Sequence, residues 1–413
     1  MTILSQLLTI LLALILQVLI FNVIQEGEII ILSFEGYIRS DGTVGVRNHV
    51  AIVAAQGYGN SVVEAIASIV HGVYPVIHPY GRGQIGPDAV QQTNTLAGTI
   101  LNPNVFGAVI VAWEPVEAQK IFKKIREKSD KKIEIVTIMG QGTLKAIEQG
   151  ARIAIDMLVE ASELKREVAP IEKLMIAVNC GASDATSGIV ANPAAGYVCD
   201  KLINLGGTAI FNETAEIMGA EHILARRSSP EVGKRLLEIV KEVEDYVLSL
   251  GIDIRGNQPK PDNIEGGLTT VEEKALGNIA KAGSHPIQAI ISYAEKPAGK
   301  GLYHMYSSPA GAESNTGFFA CGAQITIFTT GKGNPVGHIL GPVIKVTGNH
   351  RTVIAAPENI DLDISAVLKG QMDIEEAGED LFSFLLQVAS GKITKSEALK
   401  HNEFAISRIG LTV

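Results

Sequence analysis

The run Asn179-Cys180-Gly181-Ala182-Ser183-Asp184-Ala185-Thr186-Ser187-Gly188, with Ala191-Asn192-Pro193 after it, sets thiol, hydroxyl, amide and carboxylate groups directly behind an apolar segment. Small polar side chains and free backbone N–H groups in such a place suit a carboxylate-rich ligand, and a following helix adds its positive N-terminal end. An Asx-type turn that caps the helix is the other reading of the same residues. Glu213 and Glu216 follow a second apolar run, Gly207 to Asn212. Paired carboxylates there can ligate a divalent cation or move a proton, or can simply complement a helix dipole in its first turn.

Two loops add basic groups. His78-Pro79-Tyr80-Gly81-Arg82-Gly83-Gln84-Ile85-Gly86 places a histidine and an arginine on a glycine-rich turn. Arginine binds carboxylates in a bidentate fork, which favours a substrate role; a lone histidine is more often structural. Gly331-Lys332-Gly333-Asn334 lacks the spacing of a phosphate-binding loop, and its lysine binds a carboxylate, serves as a base or is an exposed turn residue. Gln56-Gly57-Tyr58-Gly59-Asn60 lacks the third glycine of a dinucleotide fingerprint.

These groups need elements to hold them. Short apolar runs closed by glycine and followed by helical periodicity recur at His49 to Ala55, Tyr74 to His78, Gly107 to Ala112 and Ile133 to Ile138. Alternation of this kind predicts α/β architecture with a parallel, doubly wound sheet. A second pass begins at Leu174 to Asn179, after the polar stretch ending Glu167-Val168-Ala169-Pro170. The expected fold is two α/β domains, residues 33–165 and 170–413, each with a largely parallel sheet flanked by helices. Ser229 to Leu250 reads as a charged amphipathic helix, Asn257 to Gly267 as a loop, Ala323 to Thr330 and Val343 to Thr347 as strands, and residues 370–405 as terminal helices.

The 413 residues suit two domains better than one, and 42 glycines with 5% aromatics suggest sites lined by backbone. A formal net charge of −9 argues against nucleic acid as a partner. Cys180, Cys199 and Cys321 show no paired metal-ligand spacing and no disulfide framework, as expected in the cytoplasm.

Residues 1–32 stand apart. Ile3 to Ile24 carry no charge and are long enough to cross a bilayer, yet no Lys or Arg precedes Arg39 to orient a membrane segment. Gly27-Glu28 can be encoded by a ribosome-binding sequence and Leu32 by an alternative start codon, so a start mis-set upstream of Ser33 is the favoured reading. A membrane anchor through residues 3–24 and a soluble packing helix are the others.

Several segments together resemble the altronate and galactarate dehydratases, a family that includes the large subunit of sulfolactate sulfo-lyase. They are Gly36 to Asn48, Cys180 to Asp184 with Ser187-Gly188 and Ala191 to Pro193, and Gly206 to Thr208 with Glu213, Glu216 and Gly219 to Glu221. Further on come Gly266 to Thr270 with Lys274, Gly277 and Lys281 to Gly283, then Phe328 to Gly333 and Pro342 to Val346. The match is collinear from Phe34 onward. The resemblance implies a lyase that removes water, or a related leaving group, from a sugar acid or hydroxy acid; a non-catalytic sugar-acid-binding paralogue is the rival. It implies catalytic roles for Asp184, Glu213, Lys274 and Lys345, to which the reading of the glycine-rich turn adds His78. Substrate binding falls to Cys180, Ser183, Ser187, Asn192 and Lys332, with Arg82 from the same turn, and the paired carboxylates Glu213 and Glu216 are the candidates for a divalent metal cation. Cysteines typical of the family's first-domain loops correspond to Tyr58, Arg82 and a position near Pro115 here, which argues against iron. Some members begin with a small β-rich domain, so a separate small β-rich subunit is an expected partner, alongside a homo-oligomer.

Overall fold

A computed structural model describes residues 32–410; the apolar N-terminal stretch and the readings attached to it lie outside the described residues. Ser33–Ile38 (β1) pairs antiparallel with Val44–Gly45 (β2) on one side and with Glu167–Pro170 (β7) on the other. The segment read from sequence as a polar linker thus carries a strand, with Glu35 opposite Val168.

Between these lies a four-stranded parallel sheet of His49–Ala54 (β3), Val73–Val76 (β4), Val105–Ala112 (β5) and Lys132–Thr137 (β6), in the order β4-β3-β5-β6. Strand residues alternate between faces, and both faces are apolar because helices cover both. Val50, Ile52 and Ala54 pack with Val62, Val63 and Ile66 of helix Asn60–Ile69 and Ala146 and Ala154 of helix Thr143–Glu163. Ala51 and Val53 pack with Leu96 and Ile100 of helix Pro87–Leu101 and Ile121 and Ile125 of helix Pro115–Arg126.

The second sheet has seven parallel strands: Met175–Gly181 (β8), Thr208–Phe211 (β9), Ile287–Ile291 (β10), Gly301–Met305 (β11), Ile325–Thr330 (β12), Val343–Thr347 (β13) and Leu362–Asp363 (β14). Their order is β10-β11-β9-β8-β12-β13-β14, so the chain reverses direction across the sheet between β8 and β12. Ile176, Val178, Ala209 and Leu302 face helices Asn192–Asn204, Pro230–Ser249 and Ile374–Ala389. Ala177, Ile210 and Met305 face Phe318 and Cys321 of helix Gly311–Cys321 and join the same core as Ala51, Val53 and Leu96. The two α/β units therefore share one apolar core. Helix Pro87–Leu101 meets helix Gly311–Cys321 so closely that a Cβ on Gly98 would lie 2.3 Å from the Ala320 carbonyl oxygen.

Candidate active site

Ligands of open α/β sheets bind at the carboxyl ends of strands, where the strand order reverses. Here that place receives the loops after β8, β9 and β12. The Asp184 carboxylate, almost fully buried, sits in the β8–β12 crevice. One oxygen accepts from the Thr186 hydroxyl at 2.7 Å and the Ser187 N–H at 3.0 Å, and the other from Asn349 Nδ2 at 2.8 Å. Gly266 and Gly331 press on it: a Cβ on Gly331 would lie 2.2 Å from its carboxyl carbon. With its oxygens so engaged, Asp184 holds the loop together. The loop then winds through a wide π turn, Ser187–Ala191, into helix Asn192–Asn204. At its start Asn192 donates to the Gly277 carbonyl at 2.8 Å and accepts from the Thr329 hydroxyl at 2.5 Å.

Glu213 lies deeper. It follows β9 in the left-handed region, φ 70° and ψ 55°, which a non-glycine residue adopts at a cost of roughly 1–3 kcal/mol and which is concentrated at functional sites. Its side chain is buried and paired with the equally buried Lys281, which also donates to Asn278 Oδ1. Burial pushes the Glu213 carboxyl up to about 7; the Lys281 ammonium opposes that shift and Glu216 adds to it. Beside this pair the Cys180 thiol is pushed up by burial and by Glu213, which keeps it protonated, and its Sγ lies 3.0 Å from Ser183 Oγ. His304 on β11 is pushed down to about 3 by burial, with Lys281 adding to it, so its ring is neutral; Nε2 meets Thr214 Oγ1 at 3.1 Å.

Asn278 Nδ2 and His304 Nδ1 are buried around the Glu213–Lys281 pair without a hydrogen-bond partner among the described residues, as are Asn179 Nδ2 and Asn212 Oδ1 on the opposite face of the same strand ends. Buried polar atoms normally find partners, and concentrations of exceptions mark sites where a ligand completes the bonding.

The remaining residues singled out from sequence fall elsewhere. Lys274 pairs with Glu216 at 2.7 Å and with Gln258 Oε1 at 2.9 Å, at the outer rim of the same site. Glu216, Lys274 and Asn278 line a narrow crevice facing Ser183, Asp184, Ser187 and Asn192, with a free volume of about 10 Å³. Lys345 is buried over the Phe328 ring at 4.3 Å and donates to the carbonyls of Asn334, at 2.9 Å, and Val336. It ties down the loop Gly331 to Val336 from beneath, and burial pushes its ammonium down to about 7. Lys332 points outward to Glu265 at 2.6 Å.

His78 and Arg82 belong to the first unit. The His78 ring is buried, with Nε2 2.9 Å from the Ala54 carbonyl and Nδ1 3.3 Å from the Tyr80 N–H, so both ring nitrogens are used. Arg82 is exposed and lies 3.7 Å from Glu114. Sequence reasoning passed over Lys281, Asn278 and His304 as site groups. Lys281 stands within the matched Lys281-Ala282-Gly283 segment, which was signal enough; His304 sits in a strand and gave none.

The profile for the C-terminal part of D-galactarate/altronate dehydratase matches residues 171–412, and that for the second domain of D-galactarate dehydratase/altronate hydrolase matches residues 36–162. The chain belongs to this family and is a lyase. It is 40% identical over 380 residues to the (2R)-sulfolactate sulfo-lyase subunit beta of Chromohalobacter salexigens, covering 91% of this chain and 97% of that one. It is 33% identical to the galactarate dehydratase (L-threo-forming) of Escherichia coli, covering 87% and 73%, and 29% identical to the altronate dehydratase of Bacillus subtilis, covering 92% and 78%.

The loops holding Tyr58, Arg82 and Pro115, at which the resemblance sets the family's cysteines, adjoin one another. A Cβ on Gly81 would lie 3.0 Å from the Tyr58 ring, and Arg82 meets Glu114, next to Pro115. They hold an aromatic ring and an ion pair rather than sulfur ligands. A divalent cation at Glu213 and Glu216 would have to displace Lys281 and Lys274, which already neutralise these carboxylates. The described residues contain no group of three or more His, Cys, Asp or Glu placed to hold a metal. Among the described residues, the set around Glu213 and Glu216 does not fit a bound cation.

Proposed function

We propose that the chain catalyses β-elimination from a small hydroxylated carboxylic acid, with the Glu213–Lys281 pair as its working acid–base centre. Glu213 takes the proton from the carbon bearing the carboxylate, the electron pair forms the new carbon–carbon double bond, and the leaving group departs from the next carbon. The resulting enol becomes a 2-oxo acid. The observation that carries this reading is the buried carboxyl pushed up to about 7, where a general base is most effective at neutral pH. Lys281 faces the negative charge that develops on the substrate carboxylate, and the protonated Cys180 thiol with Ser183 is the proton source for the leaving group.

In a dehydratase the leaving group is hydroxide, from a sugar acid such as altronate or galactarate. A second reading, in which sulfite leaves from sulfolactate, is favoured by the higher identity to the sulfo-lyase subunit and by its almost complete coverage. That relative is named as a subunit, which also supports a partner subunit for this chain. Among the described residues no helix is long and apolar enough to cross a membrane; the three free cysteines favour a reducing, cytoplasmic location. The test is product analysis with galactarate, altronate and sulfolactate. Formation of 2-oxo acid with free sulfite assigns the second reading, and 2-oxo acid without sulfite from a sugar acid assigns the first. Absence of turnover on all three, with the native partner present, removes both.

A further inference from the structure

A cleft of about 710 Å³ lies away from the Glu213–Lys281 pair. It opens at the amino-terminal ends of β8, β9 and β12, where Met175, Thr208 and Gln324 line it, and the first unit closes it from the other side. Its volume falls within the range of roughly 300–1,000 Å³ typical of small-molecule sites, which favour boundaries between domains.

The charge of its walls runs against that of the chain. Lys124 and Lys128 enter from the first unit, and Lys173, Lys296 and Lys300 from the second, against Asp41, Glu127 and Glu295. Elsewhere Lys120, Lys132, Lys201, Lys241, Lys274 and Lys281 meet carboxylates. None of the five cleft lysines forms an ion pair among the described residues, although three acids line the same space. The Asp41 carboxylate is turned to the Thr43 N–H and hydroxyl, and Glu295 to the Ser292 N–H. Five lysines against three acids give the cleft wall a net positive charge, and a concave wall of one sign focuses potential into the space it encloses. Lys300 donates to the Glu172 carbonyl, and burial pushes its ammonium down, with Glu172 opposing the shift more than Lys173 adds to it.

The wall between Ser292 and Lys300 is a crossover without helix, running back from the end of β10 to the start of β11. Within it Ala294 is held at φ 63°, a left-handed conformation that costs a non-glycine residue energy and recurs at ligand clamps.

We propose that this cleft is a second, non-catalytic binding site for a compact multivalent anion bearing phosphate or carboxylate groups. Its lysines come from both units, so the bound anion bridges them and braces the interface.

Isothermal titration calorimetry and thermal melting of the full chain, with inorganic pyrophosphate and separately with citrate, test this. Sodium chloride at matched ionic strength is the control. Saturable binding of either anion, with a rise in Tm that the chloride control does not give, is expected; which anion binds identifies phosphate or carboxylate as the recognised group. The Lys173→Ala/Lys296→Ala double variant, which touches none of the Glu213 cluster, should weaken that binding about tenfold or more while leaving Tm without anion unchanged. Lack of saturable binding by both anions, an effect reproduced by chloride, or equal affinity in the double variant would each overturn the proposal.

Discussion

At the scale of single residues, two carboxylates that look alike in sequence have opposite fates. Asp184 and Glu213 each follow a strand end, where site residues collect, and that much was legible. What decides between them is hydrogen bonding, which the sequence does not display. Asp184 has both oxygens filled by Thr186, Ser187 and Asn349, whereas Glu213 is buried against one lysine. Asp184→Asn turns an acceptor into a donor facing the Asn349 donor, and should cost about 1–3 kcal/mol of stability, seen as a lower Tm. Glu213 behaves differently with pH. Its folded-state value lies above the ordinary carboxyl value, so its contribution to stability is present below about 4.5 and is lost as pH rises through about 7. Glu213→Gln should therefore flatten the fall in Tm across that window; a parallel fall in variant and wild type would contradict the assignment of the raised value to this group.

At the scale of elements, the catalytic pair depends on how closely two helices pack. Lys281 caps the end of helix Val271–Ala280, and glycines let that helix approach helix Asn192–Asn204 and the turn before it. A Cβ on Gly196 would lie 2.1 Å from the Ala280 carbonyl oxygen, and one on Gly277 would lie 2.8 Å from the Gly188 Cα. Gly196→Ala should push Lys281 away from Glu213, destabilising by about 1–3 kcal/mol and lowering kcat more than it raises KM. An unchanged kcat would show that the helix spacing does not set the pair. The parallel β/α units were readable because apolar runs closed by glycine alternate with helical periodicity. Helix Gly311–Cys321 was not, because it is buried on every side, Ser314, Asn315 and Thr316 included, and so shows no apolar stripe. β10 and β11 were hidden for a related reason: a crossover without a helix breaks the pattern that identified the other strands.

At the scale of the whole molecule, the two units are one folding problem, since a single apolar core runs from Ala51 and Val53 to Ala177 and Ile210. Tertiary contact of this kind leaves no local mark in a sequence, whose periodicity reports each unit by itself. Gly98→Ala places a methyl group against the Ala320 carbonyl and should lower stability by about 1–3 kcal/mol. The loss should appear as earlier unfolding of both units together in calorimetry; a new separate transition would show that the interface is not cooperative. The C-terminal segment strengthens the same junction. Glu403 accepts from the Gly337 N–H, Tyr80 donates to the Ile406 carbonyl, and Asp88 accepts from the N–H groups of Ile409 and Gly410.

The central claim is that Glu213 is the base of an elimination reaction, and the pH dependence of kcat/KM for 2-oxo acid formation tests it most directly. The wild-type profile should rise through an apparent value near 7, belonging to the coupled Glu213–Lys281 pair. Glu213→Gln should lose that limb together with about a hundred- to ten-thousand-fold in rate. A Glu213→Gln enzyme that turns over at wild-type rates, or that keeps the same rising limb, would contradict the account.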